Sequence, residues 1–147
     1  MEDELSPNEV IAAQVRDANR RFYDALEALD IDAMETVWAD GDDVVCVHPG
    51  GPVQRGWEDV RGAWEAIMSN TGYIEFEIAD VRVVVQDPVA WVSCVERITS
   101  STGEGSPALA EVAATNLFVL GSGGWRLALH HASPIIRPGL GEDDDTP

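Results

Sequence analysis

The side chains in this sequence best placed to move protons near neutrality are its histidines, and His48 is set apart from the others by its neighbours. It ends the apolar run Val44-Val45-Cys46-Val47 and precedes Pro49-Gly50-Gly51. A residue before proline is pushed towards extended backbone, and Val favours strands, so the imidazole sits at the mouth of a strand from which the glycines turn away. Its ordinary pKa of about 6.5 suits it to general acid or base work, the plainer alternative being a surface histidine that merely closes a strand. Further on, Ala110, Val112, Ala114, Asn116, Phe118 and Leu120 alternate along one strand face, with one amide in an apolar row. An unpaired buried amide costs on the order of 1–3 kcal/mol, so Asn116 either bonds neighbouring backbone or presents itself to a ligand. In the last strand Trp125, Leu127 and Leu129 share a face with His131 and Ser133. Strict alternation turns His131 inward and His130 outward. Glu96 follows Val92 and Cys94 on one face of its strand, and Arg97 shares the other with Trp91 and Val95. Both are read as a solvated strand end. Phe22, Trp38, Trp64, Trp91 and Phe118 are candidates to line an aromatic pocket or simply to fill a core. No metal-ligand spacing and no nucleophile motif is present.

Helices come first and strands after. Ser6-Pro7-Asn8-Glu9 reads as a capping box with proline at the first helical position. Ile11, Val15, Ala18, Phe22, Ala25 and Leu29 then carry one apolar stripe. Asp30 caps a short helix from Ile31 to Trp38, and Trp57 to Met68 is a third, stopped at Asn70-Thr71-Gly72. From Tyr73 the period is two. Ile74, Phe76 and Ile78 alternate in one phase and Val81, Val83 and Val85 in the other, which predicts a bulge at Ala79-Asp80. Strands over 89–99, 109–120 and 125–133 follow, the last two joined by the Gly121-Ser122-Gly123-Gly124 turn. The fold class expected is α+β, a curved antiparallel sheet wrapped as a cone around three N-terminal helices and enclosing a pocket suited to a small apolar molecule. Residues 6–136 form one domain, with a flexible acidic stretch over 1–5 and a disordered acidic tail over 137–147.

Composition narrows the partners. A formal net charge of -18 argues against nucleic acid, which is bound by clustered cations. All nine basic residues are arginine, which excludes Schiff-base and phosphate-loop lysines. Cys46 and Cys94 lie in apolar strand runs and read as reduced core thiols of a cytoplasmic protein. No apolar run has the length of a membrane span, and the first residues lack the pattern of a signal peptide.

Leu29-Asp30-Ile31-Asp32-Ala33-Met34, Trp38-Ala39-Asp40, His48-Pro49-Gly50-Gly51, Arg55-Gly56-Trp57-Glu58-Asp59-Val60, Gly124-Trp125-Arg126 and His130-His131-Ala132-Ser133 occur in an order that resembles the nuclear transport factor 2-like superfamily, in its SnoaL-like and ketosteroid isomerase-like branch. The resemblance spans about Val10 to Pro134. It implies that His48 stands where the isomerases carry a general-base aspartate, Asn116 where they carry a hydrogen-bonding acid, and Phe22 in place of their first-helix tyrosine, with Tyr23 about a hundred degrees further round the helix. Loss of both strong donors speaks against steroid isomerisation. The implied function is a small-molecule pocket protein with acid–base chemistry, such as isomerisation, cyclisation or dehydration of a carbonyl-type metabolite, needing no cofactor. His48, Asn116 and His131 would carry it. The alternative is a non-catalytic ligand-binding or association domain. The resemblance also implies a homodimer through the outer face of the sheet.

Overall fold

The computed structural model describes residues 4–137. Helix α1 (Pro7–Ala28) starts at the expected capping box, in which the Ser6 hydroxyl accepts from the Glu9 amide at 3.1 Å and the Glu9 carboxylate accepts from the Ser6 amide at 2.7 Å. It ends where Leu29 adopts left-handed backbone at φ 52°. Its buried stripe is Val15, Ala18, Phe22, Ala25 and Leu26, interrupted by Asn19 and Tyr23. Asp30 caps α2 (Ile31–Val37), accepting from the amides of Asp32 and Ala33. Two short strands, β1 (Val45–Val47) and β2 (Val53–Arg55), flank the Pro49-Gly50-Gly51 turn, where sequence reading gave one strand and a loop. Helix α3 (Trp57–Ser69) buries Val60 and Trp64.

Four long strands complete the chain: β3 (Tyr73–Gln86), β4 (Val89–Ser101), β5 (Ala108–Gly121) and β6 (Gly124–Pro134). The six-stranded sheet has the order β2-β1-β6-β5-β4-β3. It is mixed, not wholly antiparallel, because β6 returns to lie parallel to β1 after the three hairpin-linked strands. The sheet stays open, with β2 and β3 at its edges, and the helices cover its concave face. The architecture is the expected α+β cone.

Two irregularities set which side chains enter that cone. In β3 the register shifts between Ala79 and Arg82, and Asp80 takes φ 52°, so Ile78 and Val81 both face the helices. In β6 Leu129 pairs with Leu117 but Leu127 pairs with Phe118, which leaves Ala128 as the extra residue of a bulge. The acidic tail expected over 137–147 lies outside the described residues except for Arg137, as do residues 1–3.

Candidate functional site

A row of polar side chains crosses the concave face beneath α1. The β6 bulge reverses the alternation after Leu127, so His130 and Ala132 are buried and His131 is exposed on the convex side. The inward orientation expected for His131 is therefore corrected: His130 takes that place. Leu127-Ala128-Leu129 is uniformly apolar, and no polar residue in it marks the change of phase.

Asn116 is fully buried. Its amide nitrogen donates to Asn19 Oδ1 at 2.8 Å and to the Tyr23 hydroxyl at 3.1 Å. Its Oδ1 lies 2.6 Å from His130 Nδ1. Since Oδ1 can only accept, His130 carries its proton on Nδ1 and keeps Nε2 as an acceptor. Burial, helped by His48 and His131, lowers the His130 pKa to about 3, so this imidazole is neutral. Tyr23 in turn donates to Glu96 Oε2 at 2.5 Å and stands 3.6 Å from Cys94 Sγ. Burial, with the Glu96 charge behind it, pushes the Tyr23 phenol well above its ordinary range.

Glu96 is the residue that sequence reading missed. Expected at a solvated strand end, it is only 3% exposed, because Tyr23 of α1 closes over it from across the domain. Arg97, on the opposite face, does sit in solvent, paired with Glu111 and Glu77. Burial raises the Glu96 pKa to about 7, while the Tyr23 hydrogen bond pulls it the other way. A carboxyl near this value can both give and take a proton at neutral pH. The available signals were the inward phase of Glu96 with Val92 and Cys94, and Asn19 and Tyr23 one helical turn apart on the apolar stripe of α1.

His48 points inward. Its ring meets the edge of Trp64 at 4.6 Å between centroids, and its Nε2 lies 3.6 Å from Cys46 Sγ. Burial lowers its pKa. Trp64 also reaches the His130 ring at 5.9 Å, so the two imidazoles flank one indole. That indole N–H is buried with no hydrogen-bond partner among the described residues. His48 and Asn116 thus look into the same interior, joined through Trp64 and His130, and His131 does not.

The five aromatic candidates do not line one pocket. Phe22, Trp38, Trp64 and Phe118 are buried in the core, where Phe22 packs on both tryptophans at 6.4 and 5.7 Å. Trp91 alternates onto the convex face, opposite to buried Ala90 and Val92. The concavity next to the polar row is instead a cavity of about 270 Å³ between α1 and β3, walled by Asn19, Tyr23, Phe76, Ile78 and two arginines of α1. Both cysteines are buried and unpaired, and among the described residues no group of three or more His, Cys, Asp or Glu side chains could hold a metal ion.

Comparison with known proteins agrees with this architecture. A model of the SnoaL-like domain matches residues 15–137. A nuclear transport factor 2-like protein of Streptomyces avermitilis, suggested to be a dehydratase, is 38% identical in structural alignment, with a TM-score of 0.83 over 88% of this chain and 99% of its own. A Thiobacillus denitrificans protein, suggested to be a calcium/calmodulin-dependent protein kinase type II association domain, is 31% identical with a TM-score of 0.69 over 81% of this chain and 93% of its own. F-box protein SKIP8 of Arabidopsis thaliana is 25% identical over 118 residues, which are 80% of this chain; the chain spans about half (48%) of that relative's length.

Proposed function

The chain belongs to the SnoaL-like domain family, and from that membership we propose that it is a small-molecule pocket protein with cofactor-independent acid–base chemistry on a carbonyl-type metabolite. Glu96 is the proton carrier in this reading. The observation that carries it is a carboxyl, buried and hydrogen-bonded by Tyr23, whose pKa lies at about 7. Tyr23 and Asn116 stand beside the same carboxyl, and a carbonyl oxygen would have to take over hydrogen bonds that they now give to Glu96 and to Asn19 and the Tyr23 hydroxyl. His48, whose pKa burial lowers, is a second polar group at the far end of the interior, packed on Trp64. The dehydratase suggested for the Streptomyces relative is chemistry of the same proton-transfer kind.

Exchange of the α-protons of cyclohexanone with deuterium, followed by NMR in heavy water, tests this without knowledge of the natural substrate. The wild-type chain accelerates exchange, and Glu96→Gln loses the acceleration by about 100-fold or more, the scale of general-base contributions. Equal exchange by both proteins removes Glu96 from the chemistry.

A second reading, an association domain, is favoured by the identity with the Thiobacillus protein. Its expectation is a ring or other higher-order assembly in sedimentation analysis together with no exchange activity.

A further inference from the structure

The cavity between α1 and β3 has an unusual wall for so acidic a chain. Arg16 and Arg20 lie four residues apart on α1, hence on one helix face, and both border it. Among the described residues Arg21, Arg61, Arg82, Arg97 and Arg137 each pair with a carboxylate, whereas Arg16 and Arg20, like Arg55 and Arg126, pair with none. Between them Asn19 is 5% exposed, with its Oδ1 engaged by Asn116 and its amide N–H₂ bonded to nothing among the described residues. Across the cavity stand Phe76, Ile78 and Val81, the apolar residues that the β3 bulge turns to the same side. Two acids share the wall. Glu27 is already engaged by the Phe76 amide at 2.7 Å, and Asp24 stands one turn beyond Arg20, so the charges run Arg16, Arg20, Asp24, Glu27 along the wall, with the two cations adjacent at its start.

We infer that this cavity is a carboxylate site: it takes a small monocarboxylic acid whose anionic end lies on Arg16 and Arg20, with Asn19 donating and the apolar body against Phe76, Ile78 and Val81. On a chain of net charge -18, an anion meets repulsion almost everywhere else. Two guanidiniums with a free amide donor between them balance Asp24 and Glu27 on the same wall, so this cavity lacks the net negative charge of the chain as a whole. The volume, about 270 Å³, sits just below the usual range of roughly 300–1,000 Å³ for small-molecule sites and suits one ring with a short chain. The inference deepens the functional reading by naming the substrate class, and rests on it only in taking this cavity as the approach to Tyr23 and Glu96.

Calorimetric titration at low ionic strength with hydrocinnamate and its neutral amide tests it. The acid binds the wild-type chain at least tenfold more tightly than the amide. Arg16→Gln/Arg20→Gln, both at exposed positions with no ion pair or side-chain hydrogen bond among the described residues, abolishes that difference. Added salt weakens the acid alone, since exposed charges are screened over about 10 Å at 0.1 M. Equal affinity for acid and amide, or a preference that survives the double substitution, overturns the inference. If the acid does not bind while cyclohexanone exchange persists, the carboxylate site falls and the functional reading stands. If the acid binds and exchange is absent, the site stands and the acid–base reading falls.

Discussion

Glu96 and His130 are both buried titratable groups, and they make opposite demands on pH. The folded pKa of Glu96 is raised from 4.5 to about 7, so between those values the folded chain holds a proton that the unfolded chain has released. Its contribution is present below about pH 4.5 and is lost as pH rises through 7, on the order of 3 kcal/mol. His130 is lowered from 6.5 to about 3, so its contribution is complete above pH 6.5 and is lost as pH falls through 3. The stability difference between wild type and Glu96→Gln, measured by urea unfolding, should therefore shift against wild type as pH rises from 4.5 to 7 and stay constant above it. A pH-independent difference contradicts the burial assigned to this carboxyl. Asn116→Leu is the costly change in the same row, because it strands His130 Nδ1–H and removes the donor to Asn19 and Tyr23. A loss of about 2–4 kcal/mol is expected in the same unfolding assay.

At the level of elements, bulges decide what the cone contains. Asp80 sits at φ 52°, left-handed backbone that β-branched residues resist. Asp80→Val should lower stability by about 1–2 kcal/mol although valine is the better strand former, and Asp80→Gly should cost less than Asp80→Val; thermal unfolding of the two variants checks the order. This bulge was legible because glutamates alternate with apolar residues on one side of it and the valines resume in the opposite phase on the other. The bulge at Ala128 was not, since its flanking leucines carry no polar mark, and missing it places a whole histidine on the wrong face. The helix starts and ends were legible for local reasons: Ser6, Asp30 and the Asn70-Thr71-Gly72 stop act within one turn of themselves. The inward phase of Glu96 was legible but its burial was not, because Tyr23, which closes over it, is 73 residues away in sequence.

For the molecule as a whole, we propose the convex face of the sheet as the surface on which a second copy docks, the homodimer that the family resemblance implies. Val95 and Leu117 are half-buried near its centre, with His131 exposed beside them. We expect a homodimer in sedimentation analysis, dissociated by Leu117→Arg, which would set a charge at the middle of the interface; an unaltered monomer in both would rule this face out. Net charge acts at the same scale. With -18 on the chain, moderate salt should raise the melting temperature by screening self-repulsion while weakening carboxylate binding at Arg16 and Arg20, two effects of opposite sign from one cause.

What joins these scales is a carboxyl closed under a helix and still able to exchange its proton at neutrality. Carbon-13 NMR of the glutamate side-chain carboxyls across pH reads that property directly, with Glu96 assigned by its absence in Glu96→Gln. The expected result is a Glu96 titration centred at about pH 7, moving higher in Tyr23→Phe, where the stabilising hydrogen bond is gone. A midpoint near the ordinary 4.5, or no response to Tyr23→Phe, would contradict the role given to this carboxyl.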